Sequence, residues 1–401
     1  MAQRVLIYSH DSFGLGHLRR CREIAHALVA AHPDLSVLLL SGSPIIGSFG
    51  FRPRVDFVRI PGVIKLRSGE YTSQSLRMQV EETLALRASI IHQAAESFEP
   101  DVFIVDKEPL GLRGEVSETL EMLSARGVPL VLGLRDVMDE PALLAPEWER
   151  KNVLPALTGL YDEIWIYGLP QVCNPLAEID LPRAVHRKTV YTGYLRRSLD
   201  DKSRPRTPDP PFDEPYLLVT AGGGGDGEAL VDWVLRAYEH DRPAPMPALI
   251  VLGPFMQPES QAAFMERVAL LPHVEAIAFD PGIETLIRHA AGVVAMGGYN
   301  TFCEILSFDK PALLVPRTVP RREQVIRARR AAELGLVVCL EDDGIRDAQL
   351  MATALRHLPQ QRRPSEVVLP GLLDGLENVN RLVDRLAAGH DRRRVSVAGQ
   401  V

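Results

Sequence analysis

The sequence predicts an α/β protein with two Rossmann-like βαβ domains that face a central cleft. Short runs rich in Val, Ile and Leu alternate with amphipathic stretches along both halves of the chain, which is typical of parallel sheets covered by helices. A charged, proline-rich segment at 196–215 interrupts the alternation, which restarts after it. The length of 401 residues also fits two domains.

The first half contains six predicted strands, each apolar on both faces. They lie at 5–9, 37–41, 57–60, 102–106, 130–134 and 163–167. The stretch 17–31 places its apolar residues on one face and predicts a helix. The segment 44–54 mixes apolar residues with two arginines. It either packs over the first domain or recognises an acceptor, with membrane contact as the lesser alternative.

The second half repeats the pattern, and a helix closes it. Strands are predicted at 216–220, 249–252, 274–279, 292–295 and 312–315. Leucines and valines recur at helical spacing from Leu372 to Leu386, so one face of that helix needs a partner. We therefore expect an N-terminal domain at 1–195, a linker at 196–215, a C-terminal domain at 216–371, a helix at 372–389 and a disordered tail at 390–401.

Composition excludes several classes of function. A net charge of −7 argues against nucleic acid as a partner. The N-terminal apolar run is too short for a secretory signal, and no stretch reaches the ~20 apolar residues of a membrane span. The four cysteines form no CxxC pair, which fits free thiols in a reducing compartment. We expect a cytoplasmic protein, with any membrane contact peripheral.

The first candidate motif is the loop at 9–17, which follows a strand and opens a helix. Gly14 and Gly16 allow a tight turn and close approach of the backbone to a ligand. The loop lacks the third glycine of a dinucleotide fingerprint. His17 lies at the helix N-terminus, where the dipole disfavours its protonated form, so it suits a neutral base. A histidine that only packs the turn is about equally compatible with the spacing.

Two further glycine-rich turns follow strands of the second half. Four glycines at 222–225 leave backbone amides able to face phosphate oxygens, although a flexible surface turn is the alternative. In the other, Gly297 and Gly298 precede a helix that Asn300 or Thr301 could cap, leaving amides for a phosphate. Glu304, one turn further on, could accept two ribose hydroxyls. Glu323 and Gln324 could face sugar hydroxyls, or they could be ordinary surface residues.

Charged residues follow two strands of the first half. In open α/β sheets, ligands bind outside the carboxyl ends of the strands. Each of these residues alone could be a solvated loop charge. As a set near His17 they are candidates for acceptor contacts: Asp106, Lys107, Glu108, Arg135 and Asp136.

The block Met296-Gly-Gly-Tyr-Asn-Thr-Phe-Cys-Glu-Ile-Leu306, followed by Pro311-Ala-Leu-Leu-Val-Pro316 and Glu323-Gln324, resembles the nucleotide-sugar site of family 28 (MurG-like) glycosyltransferases, which have the GT-B fold. The loop Phe13-Gly-Leu-Gly-His17 resembles the N-terminal glycine-rich loop of that family. The chain departs from the family at Gly297-Gly298, where Ser-Gly is common, and at Glu323.

The resemblance implies an inverting sugar transfer from a UDP-sugar, with no metal or further cofactor. His17 would be the base, and Glu304 would bind the ribose. Backbone near Phe279 would hold the uracil, and Gln324 would read the sugar. The diphosphate would lie among Gly222, Gly223, Gly224, Gly225, Gly297, Gly298, Asn300 and Thr301.

The resemblance also implies partners and a placement. The last helix would pack back toward the N-terminal domain. The acceptor stays unknown and could be a glycan or lipid-linked, with peripheral contact to the inner face of the plasma membrane as an accompanying alternative. A nucleotide-sugar hydrolase or epimerase could use the same fold, and so could a non-catalytic protein that binds sugar nucleotides.

Overall fold

A computed structural model describes residues 3–10, 16–65, 70–177, 179–199, 212–223, 225–240, 246–319 and 321–398. The chain divides into two compact units. Unit 1 comprises Met1–Pro170, Asn174–Leu195 and Gly371–Val401, and unit 2 comprises Gln171–Cys173 and Arg196–Pro370. Gly14, Gly224 and most of the expected linker lie outside the described residues.

Unit 1 is built on a seven-stranded parallel sheet, as the apolar runs predicted. The sheet contains β1 (Arg4–Ser9), β2 (Ser36–Ser41), β3 (Val55–Arg59), β6 (Val102–Asp106), β7 (Leu130–Arg135), β8 (Glu163–Tyr167) and β9 (Thr189–Tyr191), and two further strands, β4 (Val63–Lys65) and β5 (Tyr71–Ser73), lie outside it. Its helices include α1 (Gly16–Ala31), α2 (Val80–Phe98), α3 (Ser117–Ala125), α4 (Pro141–Arg150), α5 (Leu154–Gly159) and α6 (Arg183–Lys188).

The strand order of this sheet is β3-β2-β1-β6-β7-β8-β9, and β4 and β5 form a separate antiparallel hairpin. All six strand pairs of the large sheet are parallel. Chain order reverses at β1, which pairs with β2 on one side and β6 on the other. The carboxyl ends of β1 and β6 therefore flank a topological switch point, where α/β sheets bind ligands. The hairpin and β9 were not predicted, because three-residue runs carry little periodicity.

The segment 44–54 packs against α1, one of the alternatives left open by its sequence. The guanidinium of Arg54 donates to the carbonyls of Val29, His32 and Leu35 over 2.6–2.8 Å. These carbonyls lie at the end of α1 and beyond it, where a helix leaves its last carbonyls without partners. Arg54 therefore ends α1, and Arg22 fixes the loop by donating to the carbonyl of Gly50 over 2.8 Å.

Unit 2 repeats the architecture with six parallel strands. They are β10 (Leu217–Thr220), β11 (Ala248–Val251), β12 (Val274–Ile277), β13 (Gly292–Ala295), β14 (Ala312–Leu314) and β15 (Val338–Cys339). The helices are α7 (Glu228–His240), α8 (Pro258–Val268), α9 (Ile283–His289), α10 (Tyr299–Ser307), α11 (Glu323–Glu333) and α12 (Ala348–His357). The order β12-β11-β10-β13-β14-β15 puts the switch point between β10 and β13.

The last helix, α13 (Gly375–Ala398), belongs to unit 1. Its entry is tight, because a Cβ atom at Gly375 would lie 2.6 Å from the carbonyl oxygens of Gly193 and Tyr194. The prediction of a disordered tail from residue 390 is wrong over 390–398, because α13 continues to Ala398. A glycine inside a helix, such as Gly389, costs only about 1 kcal/mol, and the arginines that follow it favour helix.

We expect Val383→Ala to lower the stability of unit 1 by about 1–2 kcal/mol, because the fully buried Val383 packs α13 onto that unit. Thermal melting would measure the loss. Arg381→Ala is the matched control, since this side chain lies only two residues away but on the exposed face of α13. Equal melting temperatures for the two variants would contradict the packing role of the buried face.

Within the described parts of the chain, each helix is too short or too polar to span a lipid bilayer.

Candidate active site

The switch point of unit 1 brings together two of the predicted residues. His17 enters from the first turn of α1, and Asp106 is the last residue of β6. The Nδ1 atom of His17 lies 2.5 Å from the Oδ2 atom of Asp106. The sequence separates these residues by 89 positions, and the parallel pairing of β1 with β6 joins them. A carboxylate on Nδ1 leaves Nε2 as the nitrogen that can accept a proton.

Arg20 completes the cluster from the next turn of α1. Its Nε and Nη2 atoms donate to the Oδ1 atom of Asp106 over 2.9 and 2.5 Å. The two carboxylate oxygens are thus divided, one for the guanidinium and one for the imidazole. Nη2 of Arg20 also lies 3.0 Å from Nδ1 of His17, but the carboxylate of Asp106 is the nearer partner and, being ionised, can only accept the Nδ1 proton. Asp106 is only 2% exposed, so the paired charges stabilise each other away from water. Arg20 was missed in the sequence, although His17 and Arg20 have the i, i+3 spacing of helical neighbours.

The electrostatics keep His17 neutral and Asp106 ionised. Burial lowers the pKa of His17 to about 4, against the opposing pull of Asp106. Burial alone would raise the pKa of Asp106, but Arg20 and then His17 outweigh it and hold that pKa well below its usual range. A neutral imidazole beside an ionised carboxylate is the protonation state that a general base requires near neutral pH.

Lys107 and Glu108 follow Asp106 directly and are also held by their surroundings. Lys107 has a φ of 68°, uncommon for a residue with a side chain. Its Nζ lies 3.7 Å from Glu108, whose other oxygen accepts from Lys151 over 2.7 Å. Burial opposes the ionisation of Glu108, but Lys107 and further cations hold its pKa at about 2. Lys107 acts electrostatically on both His17 and His10, and Glu108 acts on His10.

Of Arg135 and Asp136, only Asp136 differs from the expectation. Arg135 ends β7 and is half-buried. Asp136 is fully buried, and its carboxylate accepts from the hydroxyl of Tyr194 and the amide of Val137, each over 2.8 Å. An aspartate so enclosed supports the backbone after β7. It does not present a carboxylate to an acceptor, and the sequence could not foresee its partner 58 residues away.

At the switch point of unit 2, the first glycine loop follows β10. Gly222 has a φ of 65°, and a Cβ atom there would meet nothing within 4 Å. Gly223 accepts a hydrogen bond from the amide of Phe255 over 2.9 Å, and Gly225 is exposed. The loop therefore has open space at Gly222, while the Gly223 carbonyl fixes its position.

The second glycine turn joins β13 to α10. Gly297 has a φ of 80°, and its carbonyl accepts from buried Arg327 over 2.9 Å. Gly298 is the N-cap of α10, so no side chain caps the helix from that position. The expectation that Asn300 or Thr301 caps it is wrong. Asn300 instead accepts from Arg197 over 2.8 Å, and Thr301 lies in the first turn, half-buried.

Glu304 lies one turn further into α10 and is 0% exposed. Helix α10 packs almost all of its residues into unit 2, so Glu304 lies on a face that the helix buries. In the conformation described, the carboxylate is therefore closed to solvent, and contact with a ribose requires that the groups covering it move.

Glu323 and Gln324 begin α11 and are organised by Arg317. The Nη2 atom of Arg317 donates to Glu323 over 2.7 Å, and its backbone amide donates to the Gln324 side chain over 3.2 Å. Its Nε lies 2.6 Å from Asp226, just after the glycine loop. Arg317 and Asp226 line a cavity of about 260 Å³ that Met296 and Val315 also border. The cavity lies beyond the carboxyl ends of β10, β13 and β14.

Phe279 follows β12 and is half-buried. The next residue, Asp280, accepts from the amide of Gly282 over 2.7 Å at the start of α9. Burial raises the pKa of Asp280. This turn follows the carboxyl end of β12 and leads into α9. Within the described ranges, no three His, Cys, Asp or Glu side chains could together hold a metal ion.

Comparisons with known proteins find glycosyltransferases among the relatives of this chain. Residues 217–367 match the model of the glycosyltransferase family 28 C-terminal domain. An uncharacterized glycosyltransferase from Methanosarcina mazei is 24% identical over 320 residues, covering 76% of this chain and 77% of that protein. The match therefore extends across both units.

Solved structures share the fold at low identity. The Medicago truncatula UGT71G1 complexed with UDP-glucose superposes with a TM-score of 0.61 at 14% identity, covering 96% of this chain and 98% of that one. MurG of Acinetobacter baumannii gives a TM-score of 0.55 at 12% identity, covering 96% and 99%. These superpositions over nearly the whole of each chain confirm the predicted fold class, an α/β chain of the GT-B type with two Rossmann-like units.

Proposed function

We propose that this chain moves a sugar from a UDP-sugar to a hydroxyl acceptor with inversion. The premise is that the chain is a glycosyltransferase of the GT-B fold whose second unit is a family 28 C-terminal domain. Unit 2 binds the donor and unit 1 binds the acceptor. The single observation that carries the proposal is the His17–Asp106–Arg20 cluster at the switch point of unit 1.

In unit 1, Nε2 of His17 takes the proton from the acceptor hydroxyl. As that proton leaves, the acceptor oxygen forms a bond to the anomeric carbon of the donor. The bond from that carbon to the diphosphate breaks, and its electron pair leaves with the diphosphate. Asp106 orients the imidazole and stabilises the imidazolium that forms, which is the role of a buried carboxylate behind a general base. Arg20 keeps that carboxylate ionised and fixed.

In unit 2, backbone and dipole carry most of the donor binding. The first turn of α10 follows two glycines, and the positive end of its dipole suits a diphosphate. The loop at Gly222 and Gly223 offers further backbone at the same switch point. These groups stabilise the charge that develops on the leaving diphosphate. Glu304 would accept the ribose hydroxyls, Gln324 would contact the sugar, and backbone at Phe279 would contact the base.

The choice of uridine rests on the family resemblance and on UGT71G1, which was solved with UDP-glucose. A thermal shift screen of the intact protein with UDP, GDP and dTDP tests it. A ligand that binds only the native state raises stability by about 2.7 kcal/mol at 100 times its Kd, so UDP should raise the melting temperature most. A larger shift with GDP or dTDP would contradict uridine and leave the transferase assignment intact.

We expect Glu304→Gln to weaken UDP binding by ~1–3 kcal/mol, because the amide cannot accept two hydroxyls as a carboxylate can. Isothermal titration calorimetry measures the change. Glu284→Gln is the matched control, since Glu284 is another buried glutamate of unit 2, in the neighbouring helix α9. Unchanged UDP affinity in a folded Glu304→Gln protein would remove Glu304 from the donor site.

Turnover assays separate transfer from its alternatives. A transferase should release UDP faster when an acceptor is present. Release of free sugar at the same rate with and without acceptor would favour a hydrolase. Tight UDP binding without turnover, unaffected by His17→Ala, would favour a sugar-nucleotide binding protein.

A further inference from the structure

A second imidazole, which the proton transfer does not use, lies beside His17. His10 directly follows β1 and is 7% exposed. Its ring meets the ring of His17 edge to face, with centroids 5.7 Å apart and planes at 87°. Its hydrogen bond to a described residue joins Nδ1 to the hydroxyl of Tyr8, at 3.3 Å. If Nδ1 donates this hydrogen bond, Nε2 of the neutral ring has a lone pair and can accept. If the hydroxyl donates, Nε2 carries the proton.

A buried ion pair behind Tyr8 settles the direction of that bond. Arg87 donates from Nε and Nη2 to the two oxygens of Glu115 over 2.5 and 2.6 Å. A bidentate guanidinium of this kind pairs with an ionised carboxylate, which can only accept hydrogen bonds. The hydroxyl of Tyr8 lies 2.5 Å from Oε1 of the same carboxylate. The phenolic proton therefore points at Glu115.

With its proton committed to Glu115, the Tyr8 oxygen can only accept from other groups. It accepts from the amide of Leu112 over 3.4 Å and faces Nδ1 of His10. Nδ1 must therefore carry a proton and donate it, and the other ring nitrogen, Nε2, keeps its lone pair. Burial and then the Lys107 ammonium hold the pKa of His10 well below its usual value, so the ring stays neutral.

We propose that His10 is a substrate-contacting residue whose Nε2 lone pair accepts a hydrogen bond from the acceptor, beside the hydroxyl that His17 deprotonates. The two imidazoles are arranged alike. Each has Nδ1 bound on the protein side, His17 by Asp106 and His10 by Tyr8, and each offers Nε2 as an acceptor. This inference rests on the proposed function of the same site.

The pair of imidazoles identifies a class of acceptor. A substrate with one lone hydroxyl on an apolar carrier would satisfy His17 and leave Nε2 of His10 bound to nothing. A substrate with two neighbouring O–H or N–H groups would satisfy both. Each such hydrogen bond spans roughly 3 Å, and one small molecule can bridge two rings with centroids 5.7 Å apart. The acceptor is therefore a polyol such as a sugar ring, with its nucleophilic hydroxyl next to a second donor group.

The first test reads the tautomer without any ligand. Histidine labelled with ¹⁵N in the full chain gives two-bond ¹H–¹⁵N spectra that distinguish Nδ1–H from Nε2–H, and His10→Phe assigns the signal. We expect Nδ1–H for His10, and a shift toward Nε2–H in Tyr8→Phe. Tyr161→Phe is the control, because it also removes a buried hydroxyl of unit 1, one that donates to the carbonyl of Pro109. An Nε2–H signal for His10 in the wild-type protein would overturn the proposal.

The second test reads specificity, with UDP release from UDP-glucose as the assay. Methyl hexopyranosides and their monodeoxy analogues are the acceptor probes. Loss of the hydroxyl beside the nucleophile should lower kcat/KM roughly 10-fold in the wild-type enzyme. His10→Phe should remove that discrimination, and His10→Gln, whose amide offers both a donor and an acceptor, should restore part of it.

The outcomes of these tests distinguish the role of His10 from the proposed transferase function on which it rests. An unchanged preference in a folded His10→Phe enzyme would overturn the role of His10 and leave the transferase assignment standing. Transfer only to single hydroxyls on apolar carriers would overturn the polyol class in the same way. If no acceptor accelerates UDP release while the Nδ1–H tautomer is observed, the proposed function has failed and the tautomer argument has not.

Discussion

His17→Gln is expected to keep its fold and its donor affinity while losing turnover by about 10²–10⁴-fold, the usual scale for a lost proton-transfer group. Glutamine can still donate from its amide to Asp106, which preserves the buried contact that the Nδ1 atom of His17 makes. It cannot accept a proton from a hydroxyl. Single-turnover rates with a saturating UDP-sugar would measure the loss. UDP affinity should change little, because the proposed donor contacts belong to unit 2.

The pH dependence gives the same residue a second signature. With a pKa of about 4 in the folded protein, His17 stays in its base form at neutral pH, so kcat/KM should be flat from neutral pH down to about pH 5. The rate should halve near pH 4. The folded pKa lies below the unfolded value of 6.5. The unfolded chain therefore takes up this proton first, and His17 lowers the free energy of unfolding as the pH falls from about 6.5 to about 4.

A histidine that only packs the turn after the first strand predicts a different pattern. Such a residue would lower stability and activity together in His17→Ala, and glutamine would rescue both. His26→Gln is the control, since His26 is a buried histidine of the same helix that accepts from the amide of Arg52 over 3.3 Å. Full activity in a stable His17→Gln enzyme would end the base hypothesis and leave Glu108 as the next candidate.

The sequence predicted the parts of this protein that depend on periodicity. All the long buried strands were found, because both faces of a parallel strand must be apolar and such runs are conspicuous. The glycine turns after β10 and β13 were also located, since Gly297 with its φ of 80° needs a residue without a Cβ atom. These features are local, and each leaves its mark within about ten residues.

The polar partners could not be read in the same way. Tyr8 and Glu115 are 107 positions apart, and Arg87 comes from a third element. Nothing in the local pattern of Asp136 distinguishes a carboxylate enclosed by Tyr194 from one that faces a ligand. Which of several loop carboxylates becomes functional depends on strand order, and strand order is a property of the whole sheet. Among these residues, only Arg20 could be recognised from the local sequence. A charged side chain on the apolar face of α1 must be paired, because burying an unpaired charge is costly.

Asp106→Asn is expected to lower turnover by about 10²–10⁴-fold, because the two oxygens of the Asp106 carboxylate have different partners. Arg20 presents two N–H groups to one oxygen, and His17 faces the other. Asparagine has a single side-chain oxygen. The buried guanidinium is charged and forms a stronger hydrogen bond to that oxygen than the neutral imidazole does. The amide NH₂ would then face Nδ1 of His17. That nitrogen would have to accept, its proton would move to Nε2, and the base would lose its lone pair, as happens when a catalytic aspartate behind a histidine is amidated.

The same substitution also weakens the fold, and the two effects can be separated. Arg20 would keep its charge in a site that is 1% exposed and would lose its ion pair with the Asp106 carboxylate, which costs about 3–5 kcal/mol. The wild-type carboxylate has a depressed pKa, so its contribution to stability is present above the unfolded value near 3.9 and fades as the pH falls below it. The Asn variant should lack that acid-dependent loss.

Asp162→Asn supplies the matched control for Asp106→Asn, because Asp162 also accepts a hydrogen bond in unit 1, from the amide of Leu130 over 2.9 Å. It should leave turnover unchanged. The decisive readout is the ¹⁵N spectrum of His17, which should move from Nδ1–H to Nε2–H in Asp106→Asn while UDP affinity holds. If turnover falls but His17 keeps its proton on Nδ1, the carboxylate acts only by stabilising the imidazolium charge. If a folded Asp106→Asn enzyme turns over at the wild-type rate, the cluster around His17 is structural and the acceptor's proton leaves by another route.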